Sequence, residues 1–263
     1  MDNTQPTIPP PFVCIFCQGN GSFTSAEHIV PHSLGNDLLV LSKGWVCDSC
    51  NNIFSSFENR AIFSSILGAE RCCLGVKTKR NRPAHSVTHG VSWFSEPNMP
   101  PNIVSAEAQW EKIPLLLSPD GKQGKIIFPL HDETNMDIAR VLLKMGVELM
   151  SVKTGCFQMT EAKKYLISGS NLPWPYFILR DQNVRAHLTS VLALLPEAHQ
   201  YIRDIGFDIY LHEVEEAPIF FFEYGHLFAG INLATRDLGW HRVFHDWEIS
   251  YVGCPIKYAE IHG

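Results

Sequence analysis

Two Cys-x2-Cys pairs, Cys14 with Cys17 and Cys47 with Cys50, constrain this chain more than any other feature of it. Each pair can present two thiolates to one ion, and four sulfurs complete a tetrahedral site with no position left for water. A site of that kind folds the chain around it and performs no chemistry itself, so the pattern predicts a structural zinc. A redox role for the pairs would call for a thioredoxin-like βαβ context, and none is visible around them. The other cysteines, Cys72, Cys73, Cys156 and Cys254, repeat no such spacing and read as buried or free thiols.

The zinc reading assumes a reducing compartment. Met1 to Pro11 is polar and proline-rich, without the basic cluster and apolar run of a signal peptide. No stretch approaches the roughly 20 consecutive apolar residues of a membrane helix. A soluble, cytoplasmic protein with no membrane partner is therefore expected. An apolar fraction of 45% and a charged fraction of 18% belong to a folded chain.

A compact unit is expected over residues 12–70. A short strand over 26–30 stops at Pro31, a loop follows, and a second strand lies over 44–46. The second cysteine pair then opens a helix, on which Phe54, Phe57 and Ala61 share one stripe and Ile62, Ile66 and Leu67 continue the apolar side. Residues 71–99 read as a basic linker. From 100 to 263 the pattern is mixed: helical periodicity over 134–152, 161–167 and 184–195, then aromatic and branched runs over 207–211, 219–223, 227–233 and 249–258 that suggest an antiparallel sheet. The fold class is α+β, in two domains.

The net charge of −6 sits awkwardly with a polyanionic partner, but its distribution matters more than its sum. Arg71, Lys77, Lys79, Arg80 and Arg82 fall in a stretch to Ser95 that holds no acidic residue. That is the place where a phosphate backbone would lie, the plain alternative being a solvated linker.

Between the cysteine pairs stands Ser25-Ala-Glu-His-Ile-Val-Pro-His-Ser-Leu-Gly-Asn36, and Asn51 and Asn52 follow the second pair directly. Glu-His-Ile-x-Pro, then a loop, then Cys-x-x-Cys-Asn at a helix start resembles the HNH endonuclease family, in its zinc-stabilised branch. The resemblance covers residues 12–67, about a quarter of the chain. It implies a ββα-metal nuclease unit acting on DNA, with RNA as a possible target, and a restriction or anti-phage setting. By similarity, His28 is the general base and Glu27 and Asn51 contact a catalytic Mg²⁺ or Mn²⁺, which hard oxygen donors suit. His32, four residues after His28, could touch phosphate, the alternative being a plain surface residue, and Lys77, Lys79, Arg80 and Arg82 are the other candidates for nucleic-acid contact.

Two departures from the family pattern stand out. Glu27 occupies a position more often Asp, and Ser42, Lys43 and Gly44 stand where many members carry a middle Asn, for which Asn36 is the nearest stand-in. The alternative reading is a zinc-knuckle nucleic-acid-binding module with a degenerate nuclease centre. The pairs His85/His89 and His241/His245 have the spacing of metal ligands but lack a neighbouring Glu, and read as incidental. Trp174, Trp240 and Trp247 could line a ligand pocket, although core packing is the simpler reading. The sequence leaves the oligomeric state open, a homodimer included.

Overall fold

The computed structural model describes residues 10–95, 104–109, 115–117, 119–120, 124–126, 133–155, 159–179, 199–204, 207–214, 217–237 and 239–240. Two short strands, β1 (Glu27–His28) and β2 (Val40–Leu41), pair antiparallel with Glu27 opposite Leu41 and His28 opposite Val40. A 3₁₀ turn at His32–Leu34 interrupts the connection between them. Helix α1 (Asp48–Ser64) starts at the second cysteine pair, with Cys47 as its N-cap. Phe54, Phe57, Ala61 and Ile62 form its buried face. The helix ends at Ser65, whose hydroxyl accepts a hydrogen bond from the Leu67 amide and so caps α2 (Ile66–Cys73). Two helices at an angle thus replace the single expected stripe through Leu67.

Helix α2 lies against β3 (His85–Thr88), which forms an antiparallel sheet with β4 (Val91–Phe94) and β5 (Ser105–Ala108). Gly68 is what permits this approach: a Cβ there would fall 2.1 Å from Ile62 O and 2.2 Å from Ser86 Oγ. The basic stretch is consequently not uniform. Residues 71–73 belong to α2, residues 85–94 form a hairpin, and the exposed loop between them carries Lys77, Lys79, Arg80 and Arg82. A small pair, β6 (Leu115–Leu117) and β7 (Gly124–Ile126), follows.

Helix α3 (Glu133–Thr154) is the centre of the molecule. Its Ile138, Val141, Leu142, Met145 and Leu149 stripe is buried as the periodicity predicts, and α4 (Thr160–Ser168) packs beside it. An antiparallel five-stranded sheet covers another side of α3, in the order β8 (Tyr176–Leu179), β12 (Leu227–Asn232), β11 (Ala217–Tyr224), β10 (Phe207–Val214), β9 (His199–Asp204). Alternate residues Phe220, Phe222, Tyr224 and Leu227, Ala229, Ile231 join the core through period-two alternation. At Gly146 the helix comes so close to the sheet that a Cβ would meet Leu233 Cδ2 at 2.5 Å and Phe220 Cβ at 2.9 Å.

The same buried cluster includes Phe54, Phe57 and Ala61 of α1, so the cysteine-bearing segment and the second half of the chain share one core. Arg60 of α1 adds a two-toothed contact to Asp137 of α3, Nε to Oδ2 at 2.7 Å and Nη2 to Oδ1 at 2.9 Å. The strand expected over 44–46 is absent: those residues form a turn, and β2 at Val40–Leu41 is the partner of β1 instead. Trp45 and Val46 are apolar because they are core residues, and the Trp45 carbonyl accepts from the Ile15 amide. The helix expected over 184–195 and the strand over 249–258 lie outside the described residues, as do Trp247, His241, His245, Cys156 and Cys254. No helix among the described residues is long and apolar enough to cross a membrane.

Candidate active site

The four knuckle cysteines converge: the Sγ atoms of Cys14, Cys17, Cys47 and Cys50 all lie within 4.8 Å of one another. Tight turns bring each pair together. The Gln18 amide donates to Cys14 O at 2.8 Å with Gln18 at φ 57°, and the Asn51 amide donates to Cys47 O at 3.0 Å as α1 begins. A hydrogen bond from Cys50 pulls the Cys14 thiol down to about 4. The same shared bond pushes the Cys50 thiol far up, and burial raises Cys47. A four-sulfur donor set this compact fits structural zinc. Asp48, immediately after Cys47, fastens the incoming chain: its carboxylate accepts from the Thr24 and Ser25 amides and the Thr24 hydroxyl at 2.9 to 3.2 Å. Hydrogen bonds led by the Ser22 hydroxyl hold its carboxyl at about 2.

On this base stands β1. Strand alternation sends Glu27 and His28 to opposite sides. His28 is half-buried, and its ring meets that of His32 edge to face, centroids 5.4 Å apart. His32 Nε2 lies 3.1 Å from Asp37 Oδ1. Burial lowers the pKa of His28 first, with the charges of His32, Lys144 and Lys79 acting in the same direction and Asp37 opposing. A neutral imidazole able to accept a proton is the form so favoured. Next to His32 opens a cleft of about 670 Å³, lined on one side by His32, Gly35 and Asp37 and on the other by the loop of Lys77, Lys79 and Asn81. The structure thus brings His28, His32, Lys77 and Lys79 to one region. Arg80 and Arg82 are exposed farther along the same loop, whereas Arg71 is buried in α2 beneath the Phe63 ring.

The β1–β2 connection is held by Asn36, fully buried. Its Nδ2 donates to Val30 O at 2.7 Å and Leu39 O at 3.1 Å, and its Oδ1 accepts from the Leu38 and Leu39 amides at 2.9 and 2.8 Å. All four hydrogen-bonding positions of the amide are used, three of them on residues flanking β2. Asn36 therefore locks the loop that carries His32 and Asp37.

Glu27 turns inward and is committed elsewhere. Its carboxylate makes a very short contact with Lys144 Nζ, and Lys144, from α3, is fully buried. The same ammonium donates to the His28 carbonyl at 2.7 Å and lies 2.8 Å from Glu58 Oε1 of α1 and 3.5 Å from Glu148 Oε2. Burial pushes the carboxyls of Glu27 and Glu148 above the usual range, with Lys144 pulling against it, while the three carboxylates hold Lys144 firmly protonated. A divalent ion at Glu27 would have to displace this ammonium, so the residues do not fit direct ligation there. Asn51, half-buried in the first turn of α1, is free of any such commitment. Sequence reasoning missed Lys144, Glu58 in this role, and Glu148. Lys144 and Glu148 are paired by their i, i+4 spacing on α3, but nothing in the sequence joins them to Glu58 of α1.

Elsewhere, Trp174 and Trp240 are core residues, the indole of Trp174 donating to Asn232 O at 2.9 Å. His85 stacks on Phe94, centroids 4.7 Å apart. Among the described residues the four cysteines are the only cluster of potential metal ligands. Comparison of the chain with family models, curated proteins and solved structures finds no match.

Proposed function

We propose that the chain is a nuclease of the HNH type, hydrolysing phosphodiester bonds of DNA, on a scaffold held by zinc at Cys14, Cys17, Cys47 and Cys50. The single observation that carries this reading is the placement of His28. Its ring, which burial keeps in the proton-accepting form, packs edge to face on His32, and His32 lines a cleft edged by Lys77 and Lys79. Phosphate contacts from these lysines would fix the backbone in register. His28 would take a proton from water as the oxygen attacks phosphorus and the bond to the leaving oxygen breaks, a contribution of about 10²- to 10⁴-fold. His32, oriented by Asp37, is placed to bind a phosphate oxygen.

The Mg²⁺ or Mn²⁺ of the family resemblance would supply charge neutralisation on the scissile phosphate. Asn51 is the residue left to hold it, and no step is routed through Glu27. The commitment of Glu27 to Lys144 is also what favours the second reading, a nucleic-acid-binding module that does not cut. Supercoiled plasmid offered with Mg²⁺ or Mn²⁺ tests both: nicking by the wild type and at least a hundredfold loss in His28→Ala supports the nuclease. Equal inactivity of the two, with plasmid binding retained, supports the module. Structured RNA in parallel identifies the target. A defence role and a target-selecting function for residues 100–263 are part of the same proposal, tested by challenge of cells expressing wild type or His28→Ala with phage.

A further inference from the structure

Helix α3 reaches into the candidate site with one side chain. Lys144 has no solvent exposure, and its ammonium touches both residues of β1: the side chain of Glu27 and the main-chain carbonyl of His28, the latter at 2.7 Å. A buried ammonium is tolerated only where its charge is matched, and Glu27 supplies that match here, with Glu58 of α1 at 2.8 Å as a further partner and Glu148 of α3 standing farther off at 3.5 Å. Three elements far apart in sequence therefore meet at one nitrogen. Two residues give β1 too little ladder to fix itself, since the strand pairs with β2 only through Glu27–Leu41 and His28–Val40. The carbonyl bond removes the remaining freedom of the His28 backbone, which determines where the imidazole points.

We propose that Lys144 is the positioning residue of this site, holding the His28 backbone from α3 and using Glu27 as a strut. The inference rests on the nuclease reading of the site. Lys144 touches no substrate; it acts through His28. Displacing a base by about 1 Å can lower a rate on the order of a hundredfold without weakening substrate binding.

The test compares Lys144→Met, Lys144→Arg and Glu148→Gln with wild type, measuring kcat and KM for plasmid nicking alongside zinc content and thermal melting. Glu148→Gln is the control, because it alters the most distant carboxylate and leaves both contacts to β1. Lys144→Met should lose about a hundredfold in kcat with KM held within threefold. Lys144→Arg should recover about tenfold of that loss and so remain about tenfold below wild type, and Glu148→Gln should stay within threefold of wild type. If Lys144→Met does not fold, Lys144→Arg and Glu148→Gln decide: a tenfold lower kcat in the former alone supports the proposal, and equal kcat overturns it. Wild-type kcat in a folded Lys144→Met, or parallel losses in kcat, KM and melting across all variants, also overturns it. The ¹³C resonance of the His28 carbonyl gives a readout independent of cutting. A shift in the Lys144 variants but not in Glu148→Gln supports the strut even if the wild type proves unable to nick, and an unmoved resonance overturns it even if nicking is confirmed.

Discussion

Asn36 offers a sharp test of how the loop beside His28 is built. Replacement by Ala removes an amide that makes four hydrogen bonds inside the protein. Not all four partners are left stranded. Leu38 is exposed, so water can serve its amide, and Leu39 O keeps its bond from the Ile29 amide at 3.0 Å. Val30 O and the Leu39 amide, both on buried residues, are the ones that lose a partner. At about 1 to 3 kcal/mol for each buried group so orphaned, the loss centres on about 4 kcal/mol. For a chain of this size that lowers Tm by roughly 8 to 16 °C, at 2 to 4 °C per kcal/mol. Chemical denaturation of zinc-loaded wild type and Asn36→Ala measures it directly. Asn36→Asp sharpens the reasoning: it keeps the acceptor for the Leu38 and Leu39 amides but sets a carboxylate oxygen against the carbonyls of Val30 and Leu39. At neutral pH it should be no better tolerated than Ala. A change below about 0.5 kcal/mol in Asn36→Ala would refute the lock, as would an Asp variant as stable as wild type.

Other consequences follow from the same geometry. Elemental analysis should find one zinc per chain, and stripping it with a chelator, or substituting Cys50→Ser, should abolish the cooperative melting of the cysteine-bearing unit. Asp137→Ala should destabilise the protein by about 3 kcal/mol in urea, because it leaves Arg140, largely buried, and Arg60 without the carboxylate both now share. Burial pushes the Cys72 thiol up to about 11, where its Sγ lies 3.4 Å from Trp93 O. It is therefore fully protonated at pH 8 and should survive iodoacetamide in the native state, as peptide mass spectrometry would show; rapid modification would contradict the packing of α2 on β4.

Much of the architecture is legible in the sequence wherever one periodicity governs one surface. Phe54, Phe57 and Ala61 announce the core side of α1, Ile138 to Leu149 that of α3, and the alternation after Phe207 the sheet. The cysteine cluster is legible for a different reason, because paired thiols have so few uses. What escaped were residues whose role depends on three elements at once. Lys144, Glu148 and Asp137 look like the wet side of an amphipathic helix, and become interior only because α1 and β1 cover that side. Arg71 misled in the same way, standing first in a basic run yet lying inside α2. Gly44-Trp-Val46 resembles a strand by composition, but Gly44 sits at φ 104° and the two residues after it plug the core under the first knuckle. Pairing of β1 with Val40–Leu41 was unreadable for want of length: two residues carry no period.

The central placement of α3 bears on how this chain could be dissected. A piece ending near residue 95 would carry every residue that the family resemblance marks, yet it would open Phe57 and Ala61 to water and abandon Glu27 and Glu58 without their cation. Such a fragment would be a poor cassette for grafting onto other proteins. Any recombinant chimaera that keeps the cysteine-bearing unit has to import the helix as well, so shuffling of this unit between hosts would be confined to swaps that carry both.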